Sequence, residues 1–122
     1  MLQRALAGLY RLEGVKQAML IDDSGNLLAS VGDEGAMPPF EHAVDVLSAA
    51  LESADALGLG AVYEVWCEGE ERLMIDVASP TRIVALSGTG GRLARWRHAL
   101  GRDRRILATT PSELIKCLTC PK

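Results

Sequence analysis

The stretch RLMIDVASPTRIVALSGTGGRLARWRHAL, residues 72–100, decides the fold class of this chain. Its first part, residues 72–78, alternates in the manner of a half-buried strand, and a Ser-Pro-Thr turn separates it from the apolar run over residues 82–86. A nearly continuous apolar run of this length is typical of a strand in the centre of a sheet. A glycine-rich step over residues 88–91 then leads into a helix predicted over residues 92–100. The stretch therefore predicts a two-stranded hairpin followed by a helix.

The segments on the N-terminal side of this stretch supply three more strands and a helix. Residues 61–67 alternate and end at an acidic, glycine-containing turn, so they predict the strand that precedes the hairpin. Further upstream, residues 15–21 and 26–31 flank the sequence Asp-Asp-Ser-Gly, which is a strong turn signal because Asp and Gly tolerate turn geometry. An amphipathic helix is predicted over residues 2–12.

The longest periodic segment lies between the two halves of the sheet. Two prolines at positions 38 and 39 suit a helix start, and Gly58 suits a C-terminal cap, so the helix is predicted over residues 38–57. Apolar residues recur at steps of three and four: Phe40, Ala43, Val44, Leu47, Ala50, Leu51 and Ala54. Further apolar residues widen this arc, namely Val46, Ala49, Ala50 and Ala56. The helix is therefore expected to contact two surfaces.

Composition and element order agree on an α+β domain and exclude several functions. Helix, two strands, helix, three strands and helix predict a five-stranded antiparallel sheet with helices on both faces. The 122 residues have a net charge of −3 and few aromatic residues, which disfavours a nucleic-acid binder. No apolar run is long enough to insert into a membrane, and three cysteines do not make a disulfide scaffold, so a cytoplasmic location is expected.

The quoted residues resemble the Roadblock/dynein light chain domain family, including its bacterial members that regulate small GTPases. The likeness rests on EGVKQAMLIDDSGNLLAS (residues 13–30), on the long helix over residues 38–57, and on residues 72–100. It covers residues 1–105 and leaves residues 106–122 as a C-terminal extension with a short helix or tail. The resemblance implies the profilin-like, layered Roadblock fold.

The resemblance also implies a homodimer, in which edge strands pair and the long helices pack antiparallel. An apolar edge strand at residues 61–67 would be an aggregation hazard if it stayed unpaired, which favours the same assembly. An isologous contact would cover this strand and the second surface of the helix together. The predicted interface residues are Val46, Ala49, Ala50, Val62, Tyr63 and Val65.

The function implied by the resemblance is that of a non-enzymatic regulator that binds a small Ras-like GTPase and modulates its nucleotide cycle. The outer face of the long helix would bind the partner through Glu41, His42, Asp45, Ser48 and Glu52. Two alternatives stay open at this point. One is a dimeric adaptor or scaffold subunit, and the other is a small-ligand sensor domain of profilin-like or PAS-like layout.

No catalytic, metal-binding or cofactor-binding residues are predicted. The Gly-Thr-Gly-Gly step at residues 88–91 is either a phosphate nest or a tight strand-to-helix connection, and it is not a Walker A or dinucleotide motif. Cys117 and Cys120 form a CxxC pair that would need further ligands for zinc, so a tail with incidental thiols is favoured over a shared metal site or a redox dithiol. His42 and His98 have no nucleophile or paired carboxylate at a recognisable spacing, so surface histidines are expected.

Charge is distributed unevenly along the chain. Residues 1–61 hold nine acidic and three basic residues, whereas residues 62–122 hold seven acidic and ten basic ones. Most of the basic residues form an arginine cluster: Arg92, Arg95, Arg97, Arg102, Arg104 and Arg105. The cluster either attracts an acidic partner or an anionic surface, or is simply the solvent-exposed end of a helix, where cations interact favourably with the helix dipole.

Overall fold

The computed structural model describes residues 2–32 and 40–110. The order of helices and strands is the one predicted from the sequence. The elements are α1 (Leu2–Tyr10), β1 (Val15–Asp22), β2 (Leu27–Gly32), α2 (Phe40–Ala56), β3 (Glu64–Glu68), β4 (Arg72–Ser79), β5 (Arg82–Gly88) and α3 (Leu93–Thr109).

The five strands form one antiparallel sheet in the order β2-β1-β5-β4-β3. The apolar run predicted for the sheet centre is β5, which pairs with β1 on one side and β4 on the other. Every residue of β5 after Arg82 is buried, because helices cover both faces of the sheet at this strand. The two edge strands are β2 and β3.

Two predicted boundaries are wrong. Helix α3 does not end near residue 100 but continues to Thr109, because Leu107 on its last turns is fully buried in the core. Strand β3 begins at Glu64 and not at residue 61. Gly58 and Gly60 have φ angles of 66° and 87°, a left-handed conformation that is incompatible with a strand. The chain after α2 therefore becomes an extended strand only at Glu64.

Helices α1 and α3 lie together on one face of the sheet. Trp96 is completely buried there, and its Nε1 donates a hydrogen bond to the backbone oxygen of Glu13 at 3.0 Å. Large apolar side chains from both helices and the sheet fill this core, including Leu2, Leu6, Leu9, Ala18, Leu20, Met74, Val84, Leu86, Leu100 and Leu107. We refer to this layer as the α1/α3 layer.

Helix α2 lies alone on the opposite face. Ala43 of α2 is buried against residues of the sheet, namely Met19, Ile21, Ile75, Ile83 and Ala85. The predicted cap at Gly58 is confirmed: its φ is positive, and the amide of Leu59 donates to the carbonyl of Ala54 at 2.9 Å. Five strands about 4.8 Å apart span about 20 Å, whereas one helix is about 10 Å wide. A single helix therefore cannot cover this face of the sheet.

Within the described ranges, no helix is long and apolar enough to cross a membrane. Of the predicted extension over residues 106–122, the structure describes residues 106–110. Helix α3 runs across its proposed start, and residues 111–122, with Cys117 and Cys120, lie outside the described residues.

Candidate functional site

The outer side of α2 carries a ridge formed by Glu41, Asp45, Ser48 and Glu52, here called the acidic ridge. The steps of four, three and four residues place these side chains on one side of a helix with 3.6 residues per turn. All four are exposed, and α2 contains no lysine or arginine that would neutralise them. Four of the five predicted partner-binding residues therefore lie together.

The fifth predicted residue, His42, lies on a flank of the helix and apart from the acidic ridge. It is exposed, and it lines a small cavity of about 110 Å³ over the start of β4, together with Glu71, Arg72, Leu73 and Ser87. A partner that contacts the acidic ridge would therefore meet His42 only at its margin.

The helix residues predicted for the dimer interface differ in exposure. Val46 is half-buried and packs against the core beneath α2, and Ala50 is half-buried as well. Ala49 is exposed. Small side chains on a helix flank permit close approach of a second helix, but Val46 already contributes part of its surface to its own core.

The remaining predicted interface residues belong to β3 and to the segment before it. Val62 and Tyr63 precede the strand, contrary to the prediction, although the carbonyl of Tyr63 accepts a hydrogen bond from the amide of Val77 at 2.9 Å. Pairing with β4 thus extends one residue beyond β3. Tyr63 is 72 % exposed, whereas Val62 and Val65 are half-buried.

Several large apolar side chains next to these residues are exposed and were not predicted as part of a site. Trp66 of β3 is 52 % exposed, Leu57 is 71 % exposed, and Leu59 is 72 % exposed. Leu51 of α2 is 49 % exposed. We call these four residues and Tyr63 the apolar margin. Trp66 pairs with Met74 of the α1/α3 core, so it lies on the α1/α3 face of β3, whereas the three leucines belong to α2 and to the segment that follows it. The sequence signal was present in ALGLG (residues 56–60), where two leucines flank a glycine beyond the end of the helix.

A cavity of about 290 Å³ lies between α2 and the end of the sheet. Its walls are mostly apolar and include Val44, Leu47, Leu51 and Ile83, with Asp22 at the rim. The Asp22 carboxylate accepts hydrogen bonds within its own turn, at 2.9 Å from the amides of Ser24 and Asn26. Its partial burial raises the pKa of Asp22, but these hydrogen bonds outweigh burial and hold the pKa below its ordinary value.

The glycine-rich step between β5 and α3 packs against the rest of the chain. The amide of Thr89 donates to the carbonyl of Gly14 at 2.9 Å, and the side chain of Arg72 donates to the carbonyl of Gly90 at 3.1 Å. Arg72 also lies over the ring of Trp96, 4.8 Å from its centroid. A Cβ on Gly91 would lie only 2.0 Å from the carbonyl oxygen of Glu13. These contacts favour the tight connection over the phosphate nest.

Solved structures identify the fold. The gliding protein MglB from Thermus thermophilus superposes with a TM-score of 0.73 at 24 % sequence identity, over 88 % of this chain and 85 % of that chain. MglB from Myxococcus xanthus superposes with a TM-score of 0.76 at 14 % identity, over 95 % of each chain. A Roadblock/LC7 domain from Streptomyces avermitilis gives a TM-score of 0.64 at 19 % identity, over 88 % of this chain and 98 % of that chain.

The chain has the Roadblock/LC7 fold. The resemblance seen in the sequence is thereby confirmed at the level of fold, with the element order and the five-stranded antiparallel sheet expected for it. Searches for a matching family profile and for a matching curated protein both find none. Neighbours of this low identity establish the architecture alone.

The arginine cluster divides into side chains that pair with a carboxylate of the described residues and side chains that do not. Arg104 forms a two-pronged contact with Asp76, at 2.6 Å and 3.0 Å, and Asp76 is only 1 % exposed. Hydrogen bonding to this carboxylate raises the pKa of Arg104. Arg97 pairs with Glu64 at 2.7 Å. Part of the cluster therefore holds α3 to the sheet.

No group of three or more His, Cys, Asp or Glu side chains is arranged to hold a metal ion within residues 2–32 and 40–110. Cys67 is exposed with a free thiol.

Proposed function

We propose that this Roadblock/LC7 domain is a homodimeric regulator that binds a small Ras-like GTPase and modulates its nucleotide cycle without catalytic residues of its own. The observation that carries the proposal is that α2 has two outward surfaces. One is the acidic ridge, and the other is the flank with the small residues Ala49 and Ala50, above a sheet that ends in the edge strand β3.

The dimer explains the apolar margin. Tyr63 and Trp66, at or just before an edge strand, present aromatic surface beside unpaired backbone groups, and a strand of this kind pairs readily with another chain. Pairing of β3 with its copy around a two-fold axis would extend the sheet to ten strands and place both α2 helices on one face. The two helices would then share the face that one helix leaves partly uncovered.

The acidic ridge remains available in such a dimer because it points away from the sheet. Two ridges, one from each copy, would lie side by side on the outer face of the paired helices. A partner could be held there through its switch loops, so that the dimer changes nucleotide turnover by fixing the loop conformation. The bacterial members that the sequence resembles support this assignment of the ridge.

An adaptor is the alternative, in which the same dimer ties other proteins into a complex. Two exposed leucines support it, since Leu57 and Leu59 lie beyond the end of α2 and add apolar surface outside the predicted dimer interface. A ligand sensor is less well supported, because Asp22 at the rim of the 290 Å³ cavity is engaged by its own turn.

The dimer is tested by light scattering of the purified chain at micromolar concentration. The wild-type chain is expected at twice 13.1 kDa. Tyr63→Arg with Trp66→Arg should give a folded monomer, because both side chains are largely exposed within one chain. A matched control replaces exposed residues away from this edge, Ser24→Arg with Ser48→Arg, and should remain dimeric. A monomeric wild-type chain would refute the dimer.

Binding is tested with purified small Ras-like GTPases from the same organism, each loaded with a non-hydrolysable GTP analogue or with GDP. The wild-type chain should retain at least one of them, and Asp45→Lys with Glu52→Lys on the acidic ridge should not. Asp23→Lys with Glu70→Lys makes the same charge change at exposed positions off α2 and should bind normally. Binding without any effect on nucleotide turnover would favour the adaptor.

A further inference from the structure

Charge is separated between the two helical layers of this domain. Helix α2 carries four acidic residues and no lysine or arginine. The α1/α3 layer, taken as residues 2–13 and 92–110, carries eight arginines and two acidic residues. The arginines are Arg4, Arg11, Arg92, Arg95, Arg97, Arg102, Arg104 and Arg105. The net charge of −3 therefore averages two faces of opposite sign.

Only part of the positive charge on this layer is neutralised. Arg97 and Arg104 are paired with carboxylates of the sheet, and Arg102 pairs with Asp103 at 3.2 Å. Arg4, Arg11, Arg92, Arg95 and Arg105 are exposed and make no side-chain ion pair with a residue of the described ranges. Five guanidinium groups that have no carboxylate partner among the described residues make this a strongly positive face.

Helix stability does not account for the arginines at the start of α3. Arg92 is the N-cap residue and makes no side-chain capping bond, and Arg95 follows within the first turn, where there is no acidic residue. The N-terminal end of a helix dipole is positive, so cations at this end are unfavourable. These two arginines therefore destabilise their helix slightly while adding to its positive potential.

The same two arginines line a shallow groove on this face. The groove has a volume of about 330 Å³, and its floor includes Leu12 and Ala99. Arg92, Arg95, His98 and Arg102 form its rim. A cationic rim over a partly apolar floor is suited to an anionic headgroup.

We propose that the α1/α3 layer docks on the surface of an anionic lipid bilayer, without insertion. The arginines lie on both helices and across the whole face, which suits a plane of negative charge better than a single acidic segment. The acidic ridge lies on the opposite side of the sheet, about 20 Å from α3. This separation exceeds the Debye length of about 8 Å at physiological salt, so the ridge does not cancel the attraction.

The proposed dimer would strengthen the docking but is not required for it. Edge pairing of β3 about a two-fold axis places both α1/α3 layers on the same face, so a dimer would present two positive faces to one membrane. Both acidic ridges would then point away from the bilayer and toward a soluble partner. A GTPase is not needed for binding to lipid, so the two proposals can fail independently.

Co-sedimentation of the full chain with lipid vesicles tests the docking. Vesicles of equal parts phosphatidylglycerol and phosphatidylcholine should bind the chain, and vesicles of phosphatidylcholine alone should not. An arginine near an anionic bilayer contributes about fivefold to binding. Arg92→Gln with Arg95→Gln should therefore weaken binding about 25-fold, and raising the salt from about 0.1 M to 1 M should abolish it as the Debye length falls.

The matched control is Ser24→Glu with Thr81→Glu, which makes the same change of two charges at exposed positions outside both the α1/α3 layer and the acidic ridge. It should bind the anionic vesicles like the wild-type chain, and circular dichroism should show all three proteins folded. Equal binding to both vesicle types, or equal weakening by the control, would overturn the proposal. So would binding to duplex DNA or polyglutamate, but not to vesicles, that the arginine variant loses.

Discussion

The α1/α3 layer buries large side chains such as Leu6 and Trp96 completely, whereas on the opposite face α2 completely buries only Ala43 among its described side chains. Two helices are wide enough to cover their face of the sheet, and one helix is not. Apolar side chains of α2 that find no partner on the sheet, such as Leu51, stay partly in solvent. One face is completed within the chain, and the other is left open.

This difference separates the residues that determine folding from those that are available to a partner. On the α1/α3 layer, charge lies outside a closed core, so exposed residues that have no ion pair with the sheet can vary with little loss of stability. On the α2 side, apolar surface and charge lie next to each other, as in a protein interface whose core is apolar and whose rim is polar. Substitutions in the core of the α1/α3 layer should therefore change the free energy of unfolding, whereas exposed substitutions on the α2 side should change the binding of a partner.

The largest expected difference is between matched leucine truncations on the two faces. Leu6→Ala removes a completely buried side chain of α1 and should lower the free energy of unfolding by about 3 kcal/mol. Leu51→Ala removes a side chain that is 49 % exposed and should cost about 1 kcal/mol or less. Urea unfolding at one fixed protein concentration measures both, since dimerisation makes stability depend on concentration. Equal losses of unfolding free energy for the two variants would contradict the difference in burial between the two faces.

A smaller difference is expected between two neighbouring arginines of α3. Arg104→Ala would leave the carboxylate of Asp76 buried without its partner and should cost about 2 kcal/mol. Arg105→Ala removes an exposed side chain that has no ion pair with a described residue and should change stability by about 0.5 kcal/mol at most. Thermal unfolding compares the two variants directly. A loss for Arg105→Ala as large as that for Arg104→Ala would show that exposed charge supports the fold.

Replacing a glycine on α3 should have the opposite sign. Gly101 is exposed within the helix, and a Cβ there would meet no atom within 4 Å, so Gly101→Ala should add about 0.5 to 1 kcal/mol of stability. Gly91 has a φ of 68° and would place a Cβ against the carbonyl of Glu13, so Gly91→Ala should destabilise. A gain for both variants in thermal unfolding would mean that the chain at Gly91 does not lie against the carbonyl of Glu13.

The smallest effect concerns the turn below the open face. The pKa of Asp22 is lower in the folded chain than in the unfolded one, so its ionised form stabilises the fold. This contribution is complete above about pH 4, the ordinary range of an aspartate, and is lost as the pH falls through the lowered pKa. Asp22→Asn should therefore be less stable than wild type at neutral pH, by a margin that shrinks in acid. Asp23→Asn removes one carboxylate at the exposed neighbouring position and is the matched control. A margin for Asp22→Asn that does not shrink in acid would contradict the role of the ionised turn.

The sequence was sufficient for the order of elements because the signals were local. The apolar run of β5, the Asp-Asp-Ser-Gly turn and the cap at Gly58 each act within a few residues, and each appears in the structure. The end of α3 was missed because an arginine-rich segment with one glycine resembles solvent-exposed loop, while Leu107 at its far end supplies the core contact.

The parts of the site that were missed depend on contacts between distant residues. Arg104 and Asp76 are 28 positions apart, and nothing near either residue indicates that the carboxylate is buried beneath α3. The acidic ridge was found because its spacing alone places it on one side of a helix. The exposure of Leu57 and Leu59 depends on how α2 ends above the sheet, which periodicity does not determine.

The most direct test of the central proposal is single-turnover GTP hydrolysis by the small Ras-like GTPases of the same organism. Each is loaded with GTP and measured alone, with the wild-type chain, and with the Asp45→Lys, Glu52→Lys variant of the acidic ridge. We expect the wild-type chain to change the hydrolysis rate of at least one GTPase and the ridge variant to leave it unchanged. Hydrolysis rates that the wild-type chain does not alter for any of these GTPases would contradict the proposed function.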